Sequence, residues 1–231
     1  MLILQHSVSA SITGFENPCA PYLENTLNLQ TLLIGSPSST RIVPAPNNLL
    51  SQGITKGDWL IVNAGLSPLR SDVLLARSFD DEGVVTFEQL QKLGNKEDVQ
   101  VLGVIQQSIH FYTGPKPIIN HDSLLEFDLH KTLFEVEYAT LLASASGDSM
   151  KPHVWDGDMM IIERHIQPKD QDVAVLGLNG DLVLKRLDMS RRQLLSDNPR
   201  FAPHRLTSSD RLSNEGTVRK VIRLHRPPCI A

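Results

Sequence analysis

The sequence predicts a mainly β protein built from two tandem domains, each a twisted, distorted barrel-like sheet with one short helix. Three observations predict this class. Short apolar runs recur along the chain, at Trp59-Leu60-Ile61-Val62, Val73-Leu74-Leu75-Ala76, Met159-Met160-Ile161-Ile162, Val173-Ala174-Val175-Leu176 and Leu182-Val183-Leu184. Gly, Asp, Asn and Pro turns separate them at spacings too close for a helix between successive strands, which favours a twisted sheet or distorted barrel over a βαβ sheet. Finally, the chain matches itself at a shift of 100 residues.

That repeat defines the elements in order. Residues 1–13 form an N-terminal arm, 14–112 the first copy, 113–126 a linker and 127–231 the second copy. Leu27 to Ile34 lies over Phe127 to Phe134, and each stretch predicts a short helix, with Asn25 and Asp122-Ser123 as nearby starts. Gly57-Asp58-Trp59-Leu60-Ile61-Val62 lies over Gly157-Asp158-Met159-Met160-Ile161-Ile162, and Thr13-Gly14 over Thr113-Gly114. Near the ends the shift grows, so that Gly103-Val104-Ile105 meets Gly216-Thr217-Val218; the extra residues fall in the polar stretch from Arg191 to Leu212. Between the copies, Tyr112-Thr113-Gly114-Pro115-Lys116-Pro117 reads as an extended linker, because each proline biases its predecessor away from helix.

Composition narrows the function. A net charge of −4 argues against autonomous binding to a phosphate backbone, which needs a basic face. The basic cluster Arg219, Lys220, Arg223, His225 and Arg226 reads as a solvated strand edge and tail. Two cysteines, Cys19 and Cys229, stand near opposite ends without metal-ligand spacing, so neither structural zinc nor a disulfide framework is expected. Met1 to His6 lacks the basic and apolar regions of a signal peptide, and no run is long enough to span a bilayer. A cytoplasmic protein without cofactor or metal is expected.

The chemistry lies in the second copy. Ser146-Gly147-Asp148-Ser149-Met150 puts a serine in a tight glycine-containing turn, and Trp155-Asp156-Gly157-Asp158 is a second turn that feeds an apolar strand. In Asp181 to Leu187, Lys185 shares a strand face with Val183 and Leu187, while Leu182, Leu184 and Arg186 take the other. Burial on such a stripe disfavours the charged amine, and a neutral amine can accept a serine proton. Taken singly, each residue has an ordinary alternative: Gly-Asp-Ser as turn chemistry, Lys185 as a surface lysine at a strand end.

Together, Ser146 to Met150, Asp156-Gly157-Asp158 and Val183-Leu184-Lys185-Arg186-Leu187 resemble the Ser-Lys peptidase domain of the LexA and UmuD family. The UmuD type is the nearer likeness, since Met1 to Thr13 leave no room for a helix-turn-helix domain. The resemblance implies Ser149 as nucleophile, Lys185 as general base, and the backbone amides of Ser149 and Asp148 as oxyanion hole. It also implies self-cleavage before a glycine in an upstream arm; Thr113-Gly114 and Thr13-Gly14 are the candidates. In the first copy Asn48 falls over the serine and Glu88 over the lysine, so that copy is expected to be degenerate; nearby Ser51 lacks the surrounding turn.

By the same resemblance, a RecA filament on single-stranded DNA stimulates cleavage in the SOS response. The processed chain then serves a Y-family, UmuC-like polymerase in translesion synthesis. The two copies are expected to pair as a covalent pseudo-dimer, or the chain to form a homodimer through the second copy. The alternative reading is a non-catalytic mimic that binds RecA, UmuD or the polymerase as an antagonist or assembly module.

Overall fold

The computed structural model describes residues 3–4, 28–79, 81–93, 99–112 and 127–226. The 113–126 linker, both cysteines, and the arm apart from Ile3–Leu4 lie outside these residues. So do Asn25, Asp122 and Ser123.

In chain order the elements are β1 (Ile3–Leu4), α1 (Leu29–Leu33), β2 (Thr40–Pro44), β3 (Trp59–Asn63), β4 (Val73–Ser78), β5 (Asp81–Thr86), α2 (Phe87–Leu93) and β6 (Val99–Phe111). There follow α3 (Leu129–Leu133), β7 (Thr140–Ser144), β8 (Met159–Glu163), β9 (Val173–Leu178), β10 (Asp181–Asp188), β11 (Gln193–Leu195), β12 (His204–Arg205) and β13 (Leu212–Leu224). The fold is mainly β, as predicted, and the sheet is open, twisted and antiparallel.

The two halves use the same local chemistry. Asn28 caps α1 by accepting from the Gln30 and Thr31 amides, and Asp128 caps α3 by accepting from Lys131. Asp58 and Asp158 accept the amides of Thr55 and Trp155, three residues back, and so close the turns before β3 and β8. Asp72 and Asp172 do the same for Leu69 and Lys169 before β4 and β9. These carboxylates satisfy backbone donors that burial would otherwise leave unpaired. The long strands β6 and β13 each bend at a glycine, since a Cβ on Gly103 would meet Val62 Cγ1 at 2.7 Å and one on Gly216 would meet Ile162 Cγ2 at 2.5 Å. Register shifts in both strands lie beside these glycines.

The halves do not close into separate barrels. β6 and β13 pair antiparallel, with Ile109 opposite Ile222 at the centre, Phe111 opposite Lys220 and Gln107 opposite Leu224. Because Ile109 and Ile222 are equivalent positions, this ladder is an approximate two-fold, and the 13 strands among the described residues make one sheet. The helices meet across the same axis: Leu129 donates to Gln30 Oε1 at 2.7 Å, and Leu29 donates to His130 Nδ1 at 3.4 Å. A shared core of Leu29, Leu33, Trp59, Ile109, Leu129, Leu133 and Ile222 fills the space beneath. Each half keeps a second cluster of its own, around Leu49, Ile54 and Leu75 in one and Met150, Val154 and Val175 in the other.

The basic stretch on β13 is not the solvated edge expected. Lys220 is 5% exposed, donates to the Leu133 carbonyl at 2.8 Å and pairs with Glu163 and Glu135. Arg223 is 7% exposed and binds Asp158 through Nε and Nη2. The strand is central, so its cations are buried, and a buried cation is stable only when paired.

Candidate active site

The serine loop hangs between β7 and β8. Its base is pinched where Ala145 donates to the Asp158 carbonyl at 2.8 Å and Gly157 donates to that of Ala145 at 3.1 Å. Gly147 adopts φ +90°, a left-handed conformation that a side chain would strain, and its amide donates to Asp156 Oδ1 at 2.9 Å. Met150 and Val154 are buried and anchor the loop in the second-half core. Ser149 therefore stands half-buried at the rim, between the exposed Gly147-Asp148 turn and the anchored Met150.

Lys185 comes from the facing strand. On β10 it lies opposite Ala174 of β9. Val183 and Leu187 of the same face pack with Ala174, Leu176 and Leu194, while Leu184 packs with the second-half core. Ser149 and Lys185 line one cleft of about 340 Å³, walled by Ala145 to Met150 on one side and Leu182 to Lys185 on the other. Burial lowers the pKa of the Lys185 ammonium from the ordinary lysine value. Its amine donates to Ser196 Oγ at 2.9 Å. β11 covers β10 only from Arg186 to Asp188, so the cleft-side edge at Leu182 to Lys185 carries no partner among the described residues.

Sequence reasoning missed the third segment of the site. After β11, Ser196 meets Lys185, and Asn198 donates from its backbone to the Ser149 carbonyl at 3.0 Å and from Nδ2 to the Asp148 carbonyl at 2.9 Å. Asp197 binds Arg186 through both carboxylate oxygens at 2.8 Å and accepts from His153 Nδ1 at 3.1 Å. Burial works against the Asp197 carboxylate, yet bonds from His153 and Arg186 hold it below the usual range. The only available sequence signal was Asn198-Pro199, which read as a loop. The Asp148 and Ser149 amides donate to no acceptor among the described residues, and the Asp148 carboxylate pairs with Lys151 at 2.9 Å.

The candidate bonds Thr13-Gly14 and Thr113-Gly114 lie outside the described residues. Tyr112, just before the second, bonds the Arg219 carbonyl through its amide. Its ring packs 6.2 Å from that of His153, with the Arg186 guanidinium 5.8 Å from its centroid.

In the first half the counterpart positions differ from expectation at one point. Leu49 fills the first core as Met150 fills the second, so exposed Asn48 precedes it as Ser149 precedes Met150. Asn48 Oδ1 accepts the Lys56 amide at 2.7 Å. Glu88, however, does not stand over Lys185. Leu74 pairs with Val85 as Ala174 pairs with Lys185, so Val85 holds the lysine's place and Glu88 is exposed on α2. The cause is a capping box: Thr86 accepts from Gln89 and donates its own amide to Gln89 Oε1, ending β5 and starting a helix. Thr86-Phe87-Glu88-Gln89 carries that signature in the sequence. Asn47 then closes the first cleft, accepting the Val84 amide at 2.6 Å and donating to the Val84 carbonyl at 3.2 Å.

Among the described residues no group of three or more His, Cys, Asp or Glu side chains is placed to hold a metal ion. No helix among them is long and apolar enough to cross a membrane.

Comparison with known proteins adds a family. Residues 112–219 match the Peptidase S24-like family. Protein ImpA of Escherichia coli is 32% identical over 80 residues, covering 33% of this chain and 55% of ImpA. Protein SamA of Salmonella typhimurium is 27% identical over 112 residues, covering 42% of this chain and 78% of SamA. The LexA repressor of Vibrio atlanticus is 23% identical over 185 residues, 71% of this chain and 89% of the repressor. The chain thus spans about half the length of ImpA. Residues 112–219, which hold the serine turn, the lysine strand and the Ser196 to Asn198 segment, are thus the part of the chain that is similar to the peptidase S24-like family, of LexA/UmuD type.

Proposed function

We propose that the chain is a self-cleaving serine peptidase of UmuD type with one working Ser-Lys dyad, in its second half. The observation that carries this reading is the shared cleft of Ser149 and Lys185, with the amine partly desolvated. Lys185, in its neutral form, takes the Ser149 proton as Oγ attacks the scissile carbonyl. The Ser149 and Asp148 amides receive the oxyanion. The proton then passes to the departing amine, leaving an acyl-serine that water hydrolyses. The open β10 edge supports an extended substrate segment that adds as a strand and brings its carbonyl to Ser149. The hydroxyl–amine hydrogen bond forms when that segment is bound.

Two bonds are candidates for cleavage. Thr113-Gly114 follows directly on Tyr112, whose ring lies against second-half Arg186 and His153. Thr13-Gly14 is the equivalent bond of the arm before the first half. The first half, with Asn48 and Val85 in the dyad positions and Asn47 across its cleft, is the non-catalytic member of an intramolecular pseudo-dimer. Its partners are a RecA filament, which favours the arm-in-cleft conformer, and a Y-family polymerase that the processed chain serves in the cytoplasm.

The test is mass spectrometry of the chain incubated at rising pH, and again with RecA, ATP and single-stranded DNA. Breakage before Gly114 or Gly14 that Ser149→Ala abolishes is expected. A chain that stays whole under every condition would instead assign it to the binding-module class.

A further inference from the structure

We propose that Ser196 is a positioning residue for the Lys185 amine, and that with Asn198 it forms a clamp holding base and nucleophile in one register. This rests on the Ser-Lys reading above and deepens it. Ser196, Asp197 and Asn198 are consecutive, and each grips a different part of the site. Ser196 Oγ accepts from Lys185 Nζ at 2.9 Å. Asp197 fixes Arg186, the residue after the base, and His153 of the nucleophile loop. Asn198 binds the carbonyls of Ser149 and Asp148. One short segment thus ties the loop that carries the hydroxyl to the strand that carries the amine.

The chemistry explains why such a tie matters. Lysine's stem is long and flexible, so an unanchored amine samples many positions. A neutral amine has two N–H groups and one lone pair. Giving one N–H to Ser196 leaves the lone pair on another tetrahedral direction, free to receive the Ser149 proton. Ser196 also contacts the amine when it is charged, and an acceptor favours the charged form. Removing the hydroxyl therefore lowers the amine's pKa further while freeing its rotamer.

The surrounding charges leave this contact as the adjustable one. Asp197 is engaged by Arg186 and His153, and Asp148 by Lys151. Asp156 accepts the Gly147 amide. β9 sets Ala174 opposite Lys185.

The experiment reads self-cleavage rate against pH in the full chain, together with NMR titration of the Lys185 ε-methylene in the Ser149→Ala background. Ser196→Ala is expected to lower the plateau rate roughly tenfold, the scale of a modest misplacement, and to move the inflection to lower pH. Ser196→Thr keeps a hydroxyl and recovers most of the rate and the original inflection. Asn198→Ala slows cleavage but leaves the inflection in place, since it touches only the nucleophile's backbone. A Ser196→Ala chain with unchanged inflection, rate and Lys185 titration overturns the proposal. If the unaltered chain never cleaves, the dyad reading fails; a Lys185 titration that still moves on Ser196→Ala then retains the contact without the catalytic role, and one that does not move removes both.

Discussion

At Lys185 the chemistry turns on one proton. The amine is partly buried, and burial disfavours charge, so its pKa falls below that of a free lysine. In the proposed dyad the active form is the neutral one. Activity therefore rises with pH and reaches half its plateau below pH 10.5, the ordinary lysine value. A rate flat from neutral to alkaline pH would contradict a lysine base. Lys185→Ala removes the base and is expected to lower the rate about 10²-fold or more. Arg223 makes a different prediction, about stability. Its guanidinium binds Asp158 through two bonds and donates to the Gln52 carbonyl of the other half at 3.0 Å. Asp158→Ala leaves that cation buried and unpaired, at a cost of about 3–5 kcal/mol in denaturant unfolding. A loss below about 1 kcal/mol would mean that water reaches the pair.

Among the elements, β10 and β5 differ most between the halves: Lys185 and Val85 occupy equivalent register positions. The sequence exposed the serine turn, the Asp-Gly-Asp turn and the lysine strand because each is a local pattern. Short apolar runs likewise marked β3, β4, β8 and β9. The Ser196 to Asn198 segment was not legible, since its partners are 11 to 50 residues away and no local pattern marks them. Buried Lys220 and Arg223 were misread for a related reason: composition reports charge, and only the pairing of β13 with β8, β9 and β6 makes the strand central. Glu88 was misplaced by matching apolar residues across what is a helix start. Asn47→Ala leaves the Val84 amide and carbonyl without their partner and is expected to destabilise the chain by about 1–3 kcal/mol. It gains no self-cleavage in a Ser149→Ala background, because Val85 and Asn48 supply neither base nor hydroxyl.

Across the whole molecule, the β6–β13 ladder and the core beneath it join the halves. Burying Ile109, Ile222, Leu29 and Leu129 in one cluster makes each half's stability depend on the other. The chain has two tryptophans, Trp59 in the shared core and Trp155 in the second half. Unfolding of the unaltered chain, followed by tryptophan fluorescence and by far-ultraviolet circular dichroism, is expected to give one denaturant midpoint. Two well-separated midpoints would show that the halves fold independently. A joined pair of halves with one working dyad is open to intact-mass measurement of the chain and its Ser149→Ala variant, with RecA on single-stranded DNA and ATP. A single break before Gly114 or Gly14 in the chain and none in the variant is expected; the same break in both, or no break in either, would rule out the Ser149–Lys185 dyad.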